Sequence, residues 1–246
     1  MKRLPASLLA ALLVAPLLPS RLAALPAAEA AAGRAIVARH ADTVVEIELV
    51  AVVRVSVGDK TQPPRELKRE INGTVIAPSG LTVVSLGSID PAGSTRLPPN
   101  VKAEPTEYKE VKLRLADNTE IPARIVLKDE DLDVAFIAPE PAVNGREFAH
   151  ADLAAPARAE LLGTYFDLAR APKHLQRTPA IRVVEAIGLV EKPRQLVLLS
   201  AYSPGCPVFD AEGRLLGVSV RHIVEGRESG LILLPTASIA ELAPAP

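Results

Sequence analysis

From Val44 onward the chain is written in short β-branched runs rather than helical stripes, and this restricts it to a fold made mostly of strands. "VVEIELVAVVRVSV" (44–57) alternates apolar and polar at Glu46, Glu48, Arg54 and Ser56, the pattern of a half-buried strand. "TVIAP" (74–78) and "LTVVSL" (81–86) flank Pro78-Ser79-Gly80, where proline fixes one φ and glycine supplies a positive one, so the pair reads as a hairpin. "EVKLRLADNTEIPARIVLKD" (110–129) is a second hairpin, turned at Asp117-Asn118. "LDVAFIAP" (132–139) is almost wholly apolar and is expected in the middle of a sheet.

"EPAVNGREFAHADLAAPA" (140–157) has no period and reads as a connector. Beyond it the same style resumes. "RAELLGTYF" (158–166), "AIRVVEAIGLV" (180–190), "QLVLLSA" (195–201) and "GLILLP" (230–235) are predicted strands, and "PVFDAEGRLLGVSVRHI" (207–223) is a hairpin turned at Asp210–Gly213. Only "TASIAELA" (236–243) is patterned as a helix, with Thr236 or Ser238 as its N-cap, besides one short opening helix in "AGRAIVARHADTV". "RELKR" (65–69) is the densest basic stretch, carries a glutamate and follows Pro63-Pro64, so it reads as a solvated loop. Many short strands in two halves imply an all-β fold of paired antiparallel barrels or a sandwich.

Residues 1–32 stand apart. Lys2 and Arg3 precede "LLAALLVAPLLP", and small residues follow in "AALPAAEAAA", the parts of a secretory signal peptide. Pro16 and Pro19 interrupt the apolar run, which falls short of the about 20 residues a spanning helix needs. The expectation is an exported protein, periplasmic, in the cell envelope or extracellular, with no integral span after cleavage; a retained N-terminal anchor is the alternative. No cysteine follows the run to carry a lipid.

Composition removes several function classes. With 28 basic and 29 acidic side chains and no long run of either sign, there is no electrostatic footprint for nucleic acid. The histidines at 40, 150, 174 and 222 have no Cys or His neighbour at ligand spacing, so neither metal nor cofactor is expected. Cys206 is the single cysteine and cannot form an internal disulfide. Stability must come from burial, with a core of Val, Leu, Ile and Ala in a chain whose aromatics amount to 3%.

The order of these segments resembles the trypsin-like serine proteases of the HtrA/DegP type. In that family a G-x-G-F-I-I strand leads through D-P-x-G to V-T-N-A-H-V, where the histidine is the general base. A later hairpin leads to D-L-A-V-L, whose aspartate orients that base, and G-N-S-G-G-P-L carries the nucleophile. Here "GTVIAPSGLTVVSLGSI", "VKLRLADNTEIPARIVLKDEDLDVAFI", "SPGCPVFDAEGRLLGVSV" and "GLILLPTASIAEL" follow in the same order, and "LLGTYFDL" (161–168) is similar to I-G-N-P-F-G-L. The resemblance covers nearly the whole chain after the leader. It implies two antiparallel six-stranded β-barrels with a short C-terminal helix: a first barrel over 33–139, a connector over 140–157, and a second barrel with the helix over 158–246. The PDZ domain usual in the family has no counterpart before Pro246, so peptide sensing that depends on it is not carried over.

The same alignment implies a degenerate triad. Gly87 falls where the histidine belongs, and no histidine lies between His40 and His150 to replace it. Pro204 falls at the nucleophile position; it has no hydroxyl and no N–H to help form an oxyanion hole. Asp133 matches the orienting aspartate, and its bland reading is an acid at a strand start accepting backbone N–H bonds. Ser203 and Cys206 are the substitutes to weigh as nucleophiles. Each needs a base within reach, and Cys206, at the second glycine of S-G-G-P, reads more simply as a small buried side chain. His222 reads as structural. The expected function is a non-catalytic protease-like module that binds a protein or peptide. The alternatives are an active serine- or cysteine-type endopeptidase with a relocated nucleophile, and a structural module of an envelope assembly.

Overall fold

The structure, a computed structural model, describes residues 25–90, 97–98, 100–141, 145–224 and 227–244, with the side chains of 222–231 outside that description. The predicted leader therefore lies outside the described residues as far as 24. Helix α1 (Ala27–His40) and a 3₁₀ turn (Ala41–Thr43) lead into the strands. No described helix is long and apolar enough to cross a membrane.

Strands β1 (Val44–Val53), β4 (Arg65–Val75), β5 (Thr82–Ser85), β7 (Glu107–Arg114), β8 (Glu120–Asp129) and β9 (Val134–Pro139) close into one barrel in the order β1-β4-β5-β9-β8-β7. Strands β10 (Thr164–Arg170), β11 (Pro179–Val190), β12 (Leu196–Leu199), β13 (Pro207–Phe209), β14 (Leu215–Val224) and β15 (Arg227–Pro235) close a second in the order β10-β11-β12-β15-β14-β13. All the pairings are antiparallel. Helix α3 (Thr236–Leu242) follows the second barrel. Two six-stranded barrels and a short C-terminal helix are the expected architecture.

The turns form where the local chemistry allows them. Gly80 adopts φ +86°, and a Cβ there would sit 2.7 Å from Pro139 Cγ. Asn118, at φ +65°, closes the β7–β8 hairpin while Asp117 accepts the Thr119 N–H. The apolar β9 lies between β5 and β8, as its composition requires. One core cluster fills the first barrel around Ile47, Leu113 and Ile137, and another fills the second around Val184, Leu199 and Leu233. A third, with Phe136, Val218, Ile232 and Ile239, joins the two barrels and α3. α1 adds Ile36 to Phe166 and Phe209 against the second barrel.

Three sequence expectations need correction. "RELKR" is not a loop but the first half of β4, fully paired with Ala51–Val53 and its neighbours on β1. Its four charges sit on a strand end largely exposed to water, so pairing with β1 overrides the polar signal. "RAELLG" is not strand: Gly163 N–H closes a turn on Glu160 O, and Leu162, at φ +61°, is 72% exposed, so β10 starts only at Thr164. "LTVVSL" is strand only over Thr82–Ser85, and Leu86 opens a one-turn helix, α2 (Leu86–Ile89). A small sheet of β2 (Val55–Val57), β3 (Lys60–Thr61) and β6 (Val101–Ala103) was also not anticipated.

Candidate functional site

The residues singled out by sequence meet at the seam between the barrels. Asp133 stands just before β9 with φ +54°, a left-handed conformation that aspartate tolerates better than most residues. Its main chain accepts the Leu86 N–H at 2.8 Å, which fixes the start of α2. α2 in turn aims the Gly87 N–H at Asp133 Oδ1, 2.6 Å away. Asp133 Oδ2 accepts the Ser85 hydroxyl and, from the second barrel, the Arg221 N–H at 2.9 Å. The carboxylate is 3% exposed and holds three donors. Burial raises its pKa, and the bonds from Ser85, Gly87 and Arg221 pull it back. Arranged in this way it is a tie between β5, α2, β9 and β14.

The loop before β13 approaches the same place. Gly205 adopts φ +82°, and a Cβ on it would lie 2.3 Å from Asn72 O and 3.6 Å from Ser85 N, so only glycine fits. Its carbonyl accepts Thr74 Oγ1 of β4 at 2.8 Å. Gly87 and Asp133 are thus hydrogen-bonded to each other, and Pro204 is the neighbour of a glycine packed against the Asn72 and Ser85 backbone. The amides of this turn are already engaged. Gly205 N–H bonds Ser219 O at 2.7 Å and Cys206 N–H bonds Ser203 O at 3.0 Å, while Pro204 has none.

Neither substitute nucleophile finds an imidazole as its hydrogen-bond partner among the described residues. Ser203 Oγ donates to Asp167 Oδ2 at 2.7 Å. Asp167 lies on β10, opposite Arg182 of β11 and Val208 of β13, and is 1% exposed, with Oδ1 buried and unpartnered. Burial pushes its carboxyl up to about 6, against the pull of Ser203 and of the Arg182 charge. The Cys206 thiol is wholly buried, and desolvation, followed by the Asp167 charge, drives its pKa well above the ordinary value. It is held as a thiol, not a thiolate.

His40 stacks on Phe209 with centroids 4.4 Å apart, and its Nε2 is buried without a partner. Burial and Arg39 lower its pKa, so it stays neutral at pH 7. His150 Nδ1 lies 3.1 Å from Phe148 O, and His174 is exposed in a 3₁₀ turn. His222 pairs with Gly230 across the β14–β15 hairpin, and its side chain lies outside the described residues. Among the described residues no group of His, Cys, Asp and Glu is arranged to hold a metal ion.

Sequence reasoning passed over Asp167 and Arg170. The signal for Asp167 was present: a lone acid inside the apolar strand "TYFDLAR" must either face water or find a partner. Arg170, also buried, donates to Val44 O, Ala41 O and Arg177 O, while Arg177 in turn bonds Glu46 at 2.6 Å. Together these bonds hold the second barrel to the entry of β1.

No family model matches the sequence, and no curated protein sequence matches it. Similarity appears among solved structures. The MamO protease domain from Magnetospirillum magneticum is 18% identical, with a TM-score of 0.50, over 79% of this chain and 96% of that one. Deg5 is 17% identical, with a TM-score of 0.58, over 88% of this chain and 94% of that one. At such identities the likeness speaks for the fold. With its two closed six-stranded barrels, this chain has the trypsin-like fold of the HtrA/Deg protease domains.

Proposed function

We propose that this chain is an exported, non-hydrolytic protein of the trypsin-like fold that binds an extended polypeptide at the barrel seam. One observation carries the reading. At the position aligned with the general base stands Gly87, and the carboxylate that would orient a base, Asp133, instead holds Ser85 and two backbone N–H groups. A glycine accepts no proton from an attacking hydroxyl. Pro204, aligned with the nucleophile, supplies neither a hydroxyl nor an oxyanion donor, and loss of one such donor alone lowers rates by about 10²–10³. Binding does not need these groups. Three-residue β13 covers β14 only as far as Ser219, Asp133 takes the Arg221 N–H, and β14 runs on to Val224, so a peptide would add as a strand along the edge beyond Arg221. Residues 1–32 are the proposed export signal.

The test is hydrolysis of unfolded casein together with labelling by a fluorophosphonate. The expected result is neither turnover nor label, with casein retained as a bound partner. Specific labelling of the purified chain would refute the reading.

A second reading has one observation in its favour: Ser203 Oγ donates to a carboxylate whose pKa is pushed up to about 6, a base of imidazole-like strength. It predicts activity abolished in Ser203→Ala and in Asp167→Asn. Against it stand the engaged amides of Gly205 and Cys206, which leave this turn without an oxyanion hole.

A further inference from the structure

Away from the seam, the outer face of the first barrel and helix α3 enclose a half-open cleft of about 770 Å³. That is within the range of about 300–1,000 Å³ typical of small-ligand sites. It shares no lining residue with the Asp133 and Ser203 clusters. Its floor is apolar. Ile76, Leu81, Val126 and Leu153 line it and also pack into the core that joins the barrels, so the floor is held rigid from behind. Ala240 of α3 and Ala243 just past its end form the opposite wall, and their small side chains leave the space open.

The charge at the rim is specific. Arg124 lies two residues before Val126 on β8, and both line the cleft. Two arginines of this barrel region are paired, Arg54 with Glu107 and Arg114 with Glu48 and Glu120, and neither lines the cleft. Among the described residues no carboxylate lies within 4.0 Å of Arg124. Arg146, at the other lip, lies over the Phe148 ring and 3.8 Å from Asp117. Among the described residues Glu140 is the only acidic side chain lining the cleft, and it disfavours a ligand carrying more than one negative charge.

An unpaired guanidinium beside an apolar floor suits a monoanion with a hydrocarbon body, and its planar fork matches a carboxylate. We propose that this cleft binds an apolar chain ending in a carboxylate, with the chain along Leu81 and Val126 and the carboxylate on Arg124. Both a fatty acid and the C-terminal residue of a polypeptide carry that chemistry. The inference does not depend on the peptide-binding reading of the seam.

Calorimetric titration of the full chain tests it, with laurate in one arm and a short leucine-terminated peptide, free or C-terminally amidated, in the other. Arg124 is exposed, so Arg124→Ala leaves the fold intact and is expected to weaken binding about tenfold or more. Ala240→Trp, also at an exposed position, is expected to block the cleft. Saturable laurate binding lost in both variants supports the proposal with a lipid source. Binding of the free peptide, lost on amidation and in both variants, supports it with a polypeptide source. Absence of saturable binding in both arms at millimolar ligand overturns it, as does binding unchanged in both variants.

Discussion

Each barrel carries a buried aspartate near the seam residues, Asp133 in the first and Asp167 in the second, and the protein treats them differently. Asp133 has three donors from three residues and serves as a cross-barrel tie, whereas Asp167 draws on Ser203 alone, chiefly its hydroxyl and more weakly its backbone, and leaves Oδ1 without a partner. Burial raises the pKa of both, but only for Asp167 does the shift carry the carboxyl to about 6. Depth of burial is not what separates them, since one is 3% and the other 1% exposed. The number of donors supplied by the surrounding backbone is. A buried carboxylate with several N–H bonds is a structural anchor at neutral pH. One with a single hydroxyl is a source of instability, or of chemistry, according to its surroundings.

The sharpest way to break the comparison is to displace the loop that brings the two sides together. Gly205→Ala puts a Cβ against Asn72 O at a positive φ, and we expect a loss of about 3 kcal/mol or more, read from denaturant unfolding. Next, Asp133→Ala leaves the Ser85 hydroxyl and two backbone donors without their acceptor. The expected loss is about 2–4 kcal/mol, with no change in any residual hydrolysis. Preserved stability in this variant would mean that the tie is dispensable.

Asp167 should behave in the opposite way. Its folded form holds a proton more tightly than the unfolded chain does, so its contribution is fully present below about pH 4. It is lost as pH rises through about 6. Between those limits the wild type should lose about 2–3 kcal/mol from this group, and Asp167→Asn should flatten that slope in unfolding measured across pH 4–8. Smallest is Ser203→Ala. It removes the one hydrogen-bonding partner of Asp167 Oδ2, and is expected to raise the Asp167 midpoint further in a carboxyl NMR titration. Stability at pH 8 should fall by about 1 kcal/mol. A midpoint that falls instead would show that Ser203 does not stabilise the charged form.

Much of the fold was legible from local pattern. Alternation in "VKLRL", the unbroken apolar run of "VAFIAP", and turns at Gly80, Asn118 and Gly213 each fix a face or a reversal within a few residues. The expectation failed where a segment's neighbours outweighed its own composition. "RELKR" is charged like a loop, yet is strand because β1 extends alongside it. "RAELLG" is apolar like a strand, yet turns out into solvent with Leu162 at φ +61°.

The candidate site divides in the same way. That residue 87 brings no imidazole and residue 204 no hydroxyl follows from the sequence alone, because a glycine or a proline lacks those groups in any fold. Which atoms Asp133 and Asp167 touch was decided only by the tertiary structure, for Asp133 by the docking of the two barrels and for Asp167 by the closing of the second. Arg221 reaches Asp133 across 88 residues of chain and Ser203 reaches Asp167 across 36. Periodicity in sequence reports which side of a strand is buried. It carries no record of which donor, from a strand folded elsewhere, arrives at a buried oxygen.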